Sequence, residues 1–300
     1  MKSITLDLAA EPMAADPLIE VGALTIGVFD GLHLGHRSLI ETLVRESRGS
    51  GAALVTFTEH PRVLLAGHGP VRILHPRLKN RILSEWGVTV IVLLEMNRGL
   101  LSLDPREFLD RLFSRISTGK VVIGPNFHFG RGRTGTVEML RQHGREDVVV
   151  VDPMALEGEL ASATRIRNLL STADLAAAAR MTGREFSVLA TPRSGDGIGR
   201  TMGSPTLNLY PVPEALPDGV YAVRSPFGPA VCHVGPRPTL GSKERRFEVH
   251  VLEGNPSPAD TDEIEITFVE KLRNVETFAS IGDLQAAIAA DVARAREMLG

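Results

Sequence analysis

The stretch GVFDGLHLGH at residues 27–36 decides the fold of the first half of this 300-residue chain. It overlaps the end of a short apolar run, LTIGVF at 24–29, and precedes an amphipathic segment with Leu39, Leu43 and Val44 on one face. A glycine-containing turn between a buried strand and a helix is typical of an open α/β sheet, where ligands bind at the carboxyl ends of the strands. The unpaired N–H groups at the start of such a helix attract phosphate.

The same pattern continues through the first half of the chain. Four more short, β-branched runs lie at 52–57, 89–94, 121–124 and 147–151. Runs without polar alternation are typical of parallel strands buried on both faces, and helical patterns separate these runs. Alternating strands and helices predict a doubly wound, Rossmann-like α/β domain.

The second half, from residue 184 onward, has strand-like runs separated by glycine and proline turns. These runs lie at 186–190, 206–210, 219–223, 230–234, 247–252 and 264–269. Their spacing predicts a small antiparallel β-barrel, followed by an amphipathic C-terminal helix. The apolar stripe of that helix consists of Leu284, Ile288, Val292 and Leu299. We therefore predict two domains, residues 1–183 and 184–300.

Composition excludes several classes of protein. The formal net charge of −3 and the pI near 6.3 give no electrostatic case for binding nucleic acid or an anionic membrane. No uncharged apolar run approaches the roughly eighteen residues of a membrane span, and the N-terminus does not resemble a secretory signal. The single cysteine, Cys232, excludes an internal disulfide and a multi-cysteine metal site, so we expect a reducing cytoplasm.

Two histidines in the opening motif are candidates for phosphate chemistry. His33 and His36 are three residues apart, so a helical turn brings them to one face. There they could donate hydrogen bonds to a triphosphate as charge develops on it, while Gly31 and Gly35 let the backbone approach closely. The chain has no GxxxxGK[ST] motif, so nucleotide binding needs another device. The alternative is a structural turn with two surface histidines.

A second phosphate-binding candidate is SATRIR at 162–167, where the pattern opens another helix. Ser162 and Thr164 are residue types that cap helices, and Arg167 follows within about a turn, so the three could grip the outer phosphates. The alternative is an ordinary capped helix with solvated arginines.

In the second half, a glycine-rich loop at 195–203 runs into PTLN at 205–208. On a strand, Thr206 and Asn208 point to one face, and their neutral oxygens suit Mg²⁺ that also binds nucleotide phosphates. Farther on, Glu248 lies in an alternating strand and could take a hydroxyl proton during γ-phosphoryl transfer. The alternatives are a turn before a half-exposed strand and a solvated glutamate.

Several motifs occur in a fixed order along the chain. GxFDGxHxGH, FxxHPR, GxNFxFGxxRxG and SxTRIR lie between residues 27 and 167, and GDxxGRxxGxPTxN, GVYAV, VGxRPT and EVHV lie between 195 and 251. In this order they resemble the nucleotidyltransferase and kinase halves of bacterial bifunctional riboflavin kinase/FAD synthetases. The resemblance implies two reactions: riboflavin + ATP → FMN + ADP, and FMN + ATP → FAD + pyrophosphate. It also implies Mg²⁺ and ATP as co-substrate.

The resemblance further implies roles for individual residues. In the adenylyltransferase half the catalytic residues are His33 and His36, and the nucleotide-binding positions are Gly27, Phe29, Asp30, Gly31, Gly35, Asn126, Ser162, Thr164 and Arg167. The flavin-binding positions there are His60, Pro61 and Phe127. In the kinase half the implied phosphate-binding residues are Gly195, Gly199, Arg200 and Gly203. The implied Mg²⁺ ligands there are Thr206 and Asn208, and the implied catalytic base is Glu248.

Departures from the family pattern leave several functions open. Ala163 stands where the family pattern has a serine. The kinase half departs from the family pattern at Ile198, Ser204 and Leu207 and in a proline- and aspartate-rich turn at 255–262. The chain could keep only one activity, with the adenylyltransferase as the half retained, or accept a flavin analogue. A non-catalytic flavin-binding or regulatory module is the other alternative, although the joint presence of the implied catalytic and metal-binding residues argues against it. The sequence does not decide the oligomeric state.

Overall fold

The computed structural model describes residues 1–10, 18–144, 147–156, 158–193, 206–240, 242–254, 256, 258–259 and 261–300. Spatial contacts divide this part of the chain into two compact units. The first comprises Met1–Pro70 and Pro76–Ser162, and the second comprises Val71–His75 and Ala163–Gly300. The domain limits 1–183 and 184–300 stay a prediction.

The first unit is built on a parallel sheet. Its six described strands are β1 (Lys2–Leu6), β2 (Ile19–Ile26), β3 (Ala52–Phe57), β4 (Val90–Leu94), β5 (Ile116–Ile123) and β6 (Val148–Val150). They lie in the order β1–β4–β3–β2–β5–β6, and every neighbouring pair is parallel. A short hairpin of β7 (Ala155–Leu156) and β8 (Glu159–Leu160) follows.

Helices cover both faces of this sheet. They are α1 (Leu34–Glu46), α2 (Pro61–Ala66), α3 (Pro76–Glu85), α4 (Arg98–Ser102), α5 (Pro105–Arg115) and α6 (Val137–Gln142), with a 3₁₀ turn at Arg131–Arg133. Leu43 of α1 packs in one cluster with Ala23, whereas Leu109 of α5 packs in another cluster with Leu24. Because Ala23 and Leu24 are adjacent in β2 and point to opposite faces, helices lie on both sides, which confirms the predicted doubly wound domain.

The strand order reverses beside β2. From β2 the chain moves to β3 and β4 on one side and then to β5 and β6 on the other. In open α/β sheets, ligands bind at such a switch point, beyond the carboxyl ends of the strands. The motif at 27–36 leaves the carboxyl end of β2 and therefore lies at this switch point. The sequence prediction missed β1, because a single five-residue run at the N-terminus belongs to no repeating pattern. In the structure β1 is an outer strand of the sheet and pairs with β4.

The second unit includes α7 (Ala163–Ser171), α8 (Leu175–Thr182) and a closed antiparallel barrel. The described strands of the barrel are β9 (Phe186–Arg193), β10 (Leu207–Tyr210), β11 (Gly219–Ser225), β12 (Gly228–Arg237), β13 (Ser242–Val251) and β14 (Ile264–Arg273). They close in the order β10–β13–β12–β11–β14–β9. A 3₁₀ turn at Pro238–Leu240 joins β12 to β13, and helix α9 (Ile281–Leu299) ends the chain. This architecture confirms the predicted barrel and C-terminal helix.

Side chains fill the interior of the barrel. Tyr221, Phe247 and Phe268 are fully buried there, with ring centroids 5.4 Å apart for Tyr221–Phe268 and 6.1 Å apart for Phe247–Phe268. Cys232 pairs with Tyr221 across the strands, and burial raises the pKa of its thiol well above the usual value. A barrel this narrow has no room for a ligand once side chains fill it, so a ligand would bind on its outer surface.

Helix α9 covers part of that outer surface. Its residues Val292 and Leu299 pack in one cluster with Val220 of the barrel. Arg273 of β14 donates three hydrogen bonds of 2.8–3.1 Å to the carboxylate of Asp291 on α9. An apolar stripe and a mostly buried ion pair therefore fix the helix against the barrel. Neither α9 nor any other described helix is long and apolar enough to cross a bilayer.

A short segment from the first half of the chain belongs to the second unit. This segment is Val71–His75, in which Ile73 and Leu74 are 4% and 5% exposed. Both side chains line a small apolar cavity together with Ile166 and Leu170 of α7. The second unit therefore draws its core from two separate stretches of sequence.

Candidate active sites

The loop that follows β2 has an unusual backbone. Phe29, Gly31 and Leu32 have φ angles of 51°, 75° and 42°, in the left-handed region that favours glycine. Such conformations cost on the order of 1–3 kcal/mol for each non-glycine residue and concentrate at functional sites. The side chains of Phe29 and Leu32 are 3% and 0% exposed, so their burial holds the loop in this shape. A glycine at 31 needs no such compensation.

Side chains of α3 and β3 also hold this loop. The carbonyl oxygen of Val28 accepts hydrogen bonds from Lys79 Nζ at 2.9 Å and from Thr56 Oγ1 at 3.1 Å. Lys79 therefore brings a positive charge from α3 to the loop that leads into α1, and the dipole of α1 also favours anions at its start. Lys79 lies in none of the sequence motifs, because an isolated lysine on a helical face follows no recognisable pattern.

His33 and His36 lie side by side at the start of α1. His33 is the N-cap, and its Nδ1 accepts a hydrogen bond of 3.3 Å from the backbone N–H of His36. The two rings stack with centroids 3.7 Å apart, and Phe29 lies 5.0 Å from His36. Since Nδ1 of His33 accepts, the proton of a neutral His33 ring is on Nε2, so Nε2 is the donor atom of this ring. A Cβ on Gly35 would lie 3.1 Å from His33 Nδ1, so the glycine leaves room for the capping ring.

The loop after β5 carries Asn126 next to two packed phenylalanine rings. Asn126 is exposed, and Phe127 is half-buried against Phe129 with ring centroids 5.3 Å apart. Phe129 forms a β-bridge with Gly135. Gly130 has a φ of +70°, and a Cβ there would lie 2.8 Å from the backbone of Pro105. A side chain at position 130 would therefore clash with Pro105, so this turn requires glycine.

His60 and Pro61 begin helix α2 at the carboxyl ends of the parallel strands. His60 is the N-cap of α2, its Nδ1 accepts from the Arg62 backbone N–H at 3.1 Å, and Pro61 is the first helical residue. They follow β3, just as the histidine pair follows β2 and Asn126 follows β5. Adjacent parallel strands have their carboxyl ends at the same end of the sheet. The structure therefore places these three groups together at the carboxyl end of the sheet.

The SATRIR motif straddles the two units. Ser162 ends the first unit, whereas Thr164 and Arg167 lie in α7 of the second. Arg167 falls in the second turn of that helix, and its Nε donates to the carbonyl oxygen of Val71 at 2.7 Å. The helix predicted at this motif is present, and the joint action of the three residues on one nucleotide stays a prediction.

In the second unit, a row of polar side chains crosses three strands of the barrel. Asn208 of β10 is directly opposite Glu248 of β13, and Glu248 is directly opposite His233 of β12. Residues opposite each other in antiparallel strands project to the same face. This row faces outward, since the neighbouring residues Phe247 and Val249 fill the interior.

The outward face beside the row forms a cavity of about 170 Å³ under α9. Glu248, His233 and Thr206 line its polar side. Its apolar wall consists of side chains from the barrel and from α9: Val220, Val231, Leu284, Ile288 and Val292. A mostly apolar pocket with a few polar groups at one side is the usual form of a site for a flat organic ligand.

Two residues of this site have no assigned role in the sequence prediction. Arg237 donates from Nε to Oε2 of Glu248 at 2.7 Å and from Nη2 to Oε1. His233 Nε2 lies 3.1 and 3.0 Å from the carbonyl oxygens of Gly235 and Pro236, so it carries the proton. Burial lowers the pKa of His233, which favours the neutral ring. Arg237 belongs to the VGxRPT motif, but sequence spacing does not reveal which carboxylate it meets.

The predicted oxygen donors fit a hard cation that shares its coordination with a nucleotide. Thr206 lines the cavity, and Asn208 stands beside Glu248 in the polar row. Within the described residues, no group of three or more His, Cys, Asp or Glu side chains could hold a metal by itself. Mg²⁺ commonly binds few protein oxygens together with substrate phosphates, so two neutral oxygens are consistent with it.

Part of the predicted kinase site lies outside the described residues. This part comprises the phosphate-loop positions Gly195, Gly199, Arg200 and Gly203. The departures Ile198 and Ser204 lie there as well, and so do three positions of the 255–262 turn, namely 255, 257 and 260.

Comparisons with known proteins match both halves of the chain. A model of the FAD synthetase family matches residues 17–165, and a model of the riboflavin kinase family matches residues 182–299. A bifunctional riboflavin kinase/FMN adenylyltransferase of Escherichia coli (strain K12) is 32% identical over 291 residues, which is 92% of each chain. Another, from Pseudomonas fluorescens, is 33% identical over 287 residues and covers 91% of this chain and 92% of the relative.

A solved structure extends the similarity to the fold. A chain from Streptococcus pneumoniae, described as a macrolide-efflux protein, has a TM-score of 0.85 at 26% identity and covers 99% of both chains. Two family models thus match in succession, and relatives above 30% identity span about nine tenths of the sequence. On these findings the chain belongs to the family of bifunctional riboflavin kinase/FMN adenylyltransferases.

Proposed function

We propose that this chain makes FAD in two steps, phosphorylating riboflavin to FMN and then adenylylating FMN, with ATP as co-substrate of both. The observation that carries the proposal is that each family match contains its own polar site. The match at 17–165 contains the stacked histidine pair at the start of α1, and the match at 182–299 contains the polar row with Glu248. The cytoplasm is the proposed compartment, since the single cysteine suits a reducing environment.

In the kinase step, the flavin ring occupies the apolar cavity under α9 and the ribityl chain reaches the polar row. The terminal hydroxyl oxygen attacks the γ-phosphorus of ATP, the bond from that phosphorus to the bridging oxygen breaks, and ADP leaves. Glu248 accepts the hydroxyl proton as the new bond forms. The cavity supports this role, because Glu248 is the carboxylate of its polar row.

In the adenylylation step, a phosphate oxygen of FMN attacks the α-phosphorus of ATP, and pyrophosphate leaves. Negative charge grows on the transferring and leaving phosphates, so donors fixed in advance lower the barrier. His33, His36 and the N–H groups at the start of α1 provide such donors, and the Lys79 ammonium adds a positive charge nearby. Asn126, His60 and Phe127 complete the proposed site at the same sheet edge.

Thr206 and Asn208 would hold Mg²⁺ in the kinase half, and the cation would supply neutralisation of charge on the nucleotide phosphates. We expect Thr206→Ala to raise the Mg²⁺ concentration for half-maximal FMN formation by at least about tenfold, as when a partner of a bound metal is lost. Thr206→Ser keeps the hydroxyl and is the matched control. A Mg²⁺ titration of FMN formation measures both variants, and an unchanged requirement in the alanine variant would remove Thr206 from the metal site.

A time course tests the proposed function as a whole. The purified chain is incubated with riboflavin, ATP and Mg²⁺, and FMN and FAD are separated by chromatography. We expect FMN to appear first and FAD to follow, and FMN supplied with ATP to give FAD directly. Accumulation of FMN alone, or FAD formation only from added FMN, would restrict the chain to one of the two activities. Formation of neither product by folded protein would reject the proposal.

A further inference from the structure

We propose that Arg237 is the positioning residue for riboflavin phosphorylation: it fixes the Glu248 carboxylate toward the cavity and yields one carboxylate oxygen to the substrate hydroxyl. This inference rests on the proposed kinase function and extends it to a residue with no assigned role. Arg237 is not a catalytic residue in this scheme, because it acts through Glu248.

The contact between the two side chains is a bidentate ion pair in the wall of the cavity. Nε and Nη2 of Arg237 each meet a different oxygen of Glu248, and the side chains are 14% and 8% exposed. A planar guanidinium that meets both oxygens fixes the plane of the carboxylate as well as its position. The Glu248 carboxylate at the polar side of the cavity therefore has one defined orientation.

The backbone that carries Arg237 is itself fixed. The strand register between β12 and β13 shifts between Gly235 and Arg237, where a step of two residues on β12 lies opposite a step of four on β13, so the extra residues of this bulge lie on β13. Gly235 has a φ of +137°, and a Cβ there would lie 3.0 Å from the side chain of Asp218. Pro236 and Pro238 flank the arginine and lock their own φ angles. Beside this bulge the Arg237 side chain reaches Glu248 instead of its register partner Ser242.

His233 adds a second constraint on the backbone before Arg237. Its ring donates to the carbonyl oxygens of Gly235 and Pro236, and its backbone is directly opposite Glu248. The neutral histidine thus ties this backbone to the same row of residues that contains the proposed base. One continuous set of contacts leads from His233 through this backbone to Arg237 and on to Glu248.

Stability alone is a weak reason for such a pair. A buried ion pair often contributes no more than well-packed apolar side chains would, because both charges lose hydration. This pair also lies in the wall of the cavity proposed for riboflavin, which both residues line together with Thr206. A carboxylate whose two oxygens are both held by a guanidinium is a poor acceptor, so the substrate hydroxyl must replace one of the two contacts while the other keeps the orientation.

The test compares Arg237→Gln and Arg237→Lys with the wild-type chain. We expect Arg237→Gln to lower kcat of FMN formation by about 10²-fold, in the range for a misplaced general base, while the KM for riboflavin changes by less than about threefold. Arg237→Lys restores a charge without the fork and should recover part of the loss. Conversion of added FMN to FAD should stay at the wild-type rate in both variants.

A matched control and a coupled variant separate positioning from other roles. Arg224→Gln breaks an exposed ion pair with Glu185 on the same barrel, whose side chains are 47% and 43% exposed, and should change neither kcat nor KM. Combined with Glu248→Gln, Arg237→Gln should cause no further loss of residual FMN formation, since a residue that acts through Glu248 has nothing left to position.

Different results would contradict the inference or the function beneath it. A raised KM for ATP with unchanged kcat, or the same 10²-fold loss in the Glu248→Gln background, would make Arg237 a phosphate ligand instead. A wild-type kcat in Arg237→Gln would remove it from the reaction. If Arg237→Gln unfolds the barrel, Arg237→Lys takes its place in the comparison: a folded lysine variant whose kcat of FMN formation stays below wild type supports the role of the fork, and a wild-type kcat would overturn it. A wild-type chain that forms no FMN would overturn the proposed function itself.

Discussion

Glu248→Gln is expected to lower kcat of FMN formation by about 10²–10⁴-fold, the range for loss of a general base. The amide has the same shape as the carboxylate but accepts no proton near neutral pH. It also leaves the mostly buried guanidinium of Arg237 without its counter-charge. Conversion of added FMN to FAD should continue, because the histidine pair lies in the other unit. Separate rates of FMN and FAD formation, measured by chromatography, provide both readouts.

The control for this variant is Glu270→Gln on β14. Glu270 forms an ion pair with Arg294, its side chain is 47% exposed, and we expect no change in either step. Riboflavin binding, followed by quenching of flavin fluorescence, should persist in Glu248→Gln, since the apolar cavity is unaltered. Normal phosphorylation of riboflavin by Glu248→Gln would exclude the proposed base.

His33→Ala is expected to lower FAD formation from FMN by about 10²–10³-fold, as for loss of one donor to a transition state. The alanine also removes the N-cap of α1, which costs about 1 kcal/mol in stability. His33→Asn separates the two effects, because asparagine is a good N-cap but lacks the imidazole donor. We expect the asparagine variant to be as stable as wild type and still at least about tenfold slower in FAD formation.

FMN formation from riboflavin should be unchanged in both His33 variants. His143→Asn is the control in the same unit, since His143 bonds Asp110 at 2.7 Å and has no proposed role in the reaction. Wild-type adenylylation by His33→Asn would reduce His33 to a helix cap. A parallel loss of both activities with the fold intact would contradict the assignment of the two steps to separate sites.

Much of the fold could be predicted because the sequence patterns are local. The run at 52–57 coincides with β3, since its β-branched and apolar residues suit only a strand buried on both faces. The strand before the HxGH motif instead ends at Ile26, because Phe29 has a positive φ angle and belongs to the turn. Strand β13 begins at Ser242 and not at Phe247, since its first residues carry charges on an exposed extension that apolar patterns do not reveal.

The contacts that complete the sites could not be predicted in the same way. The ion pair of Arg237 with Glu248 forms beside a bulge of β13 that shifts the strand register, and a sequence does not show where a bulge falls. Lys79 meets the carbonyl oxygen of Val28 across 51 residues of chain, a distance over which no spacing rule operates. Motifs thus predicted which residues carry the chemistry, whereas the groups that orient them emerge only from packing.

The segment Val71–His75 limits how the two activities can be taken apart. A gene cut after residue 162 would give a C-terminal fragment without Ile73 and Leu74, the two side chains that cover part of α7. The exposed leucine and isoleucine surface would invite aggregation of that fragment. Recombinant dissection of the protein therefore calls for a five-residue peptide supplied in trans, or for grafting those residues onto the fragment's N-terminus.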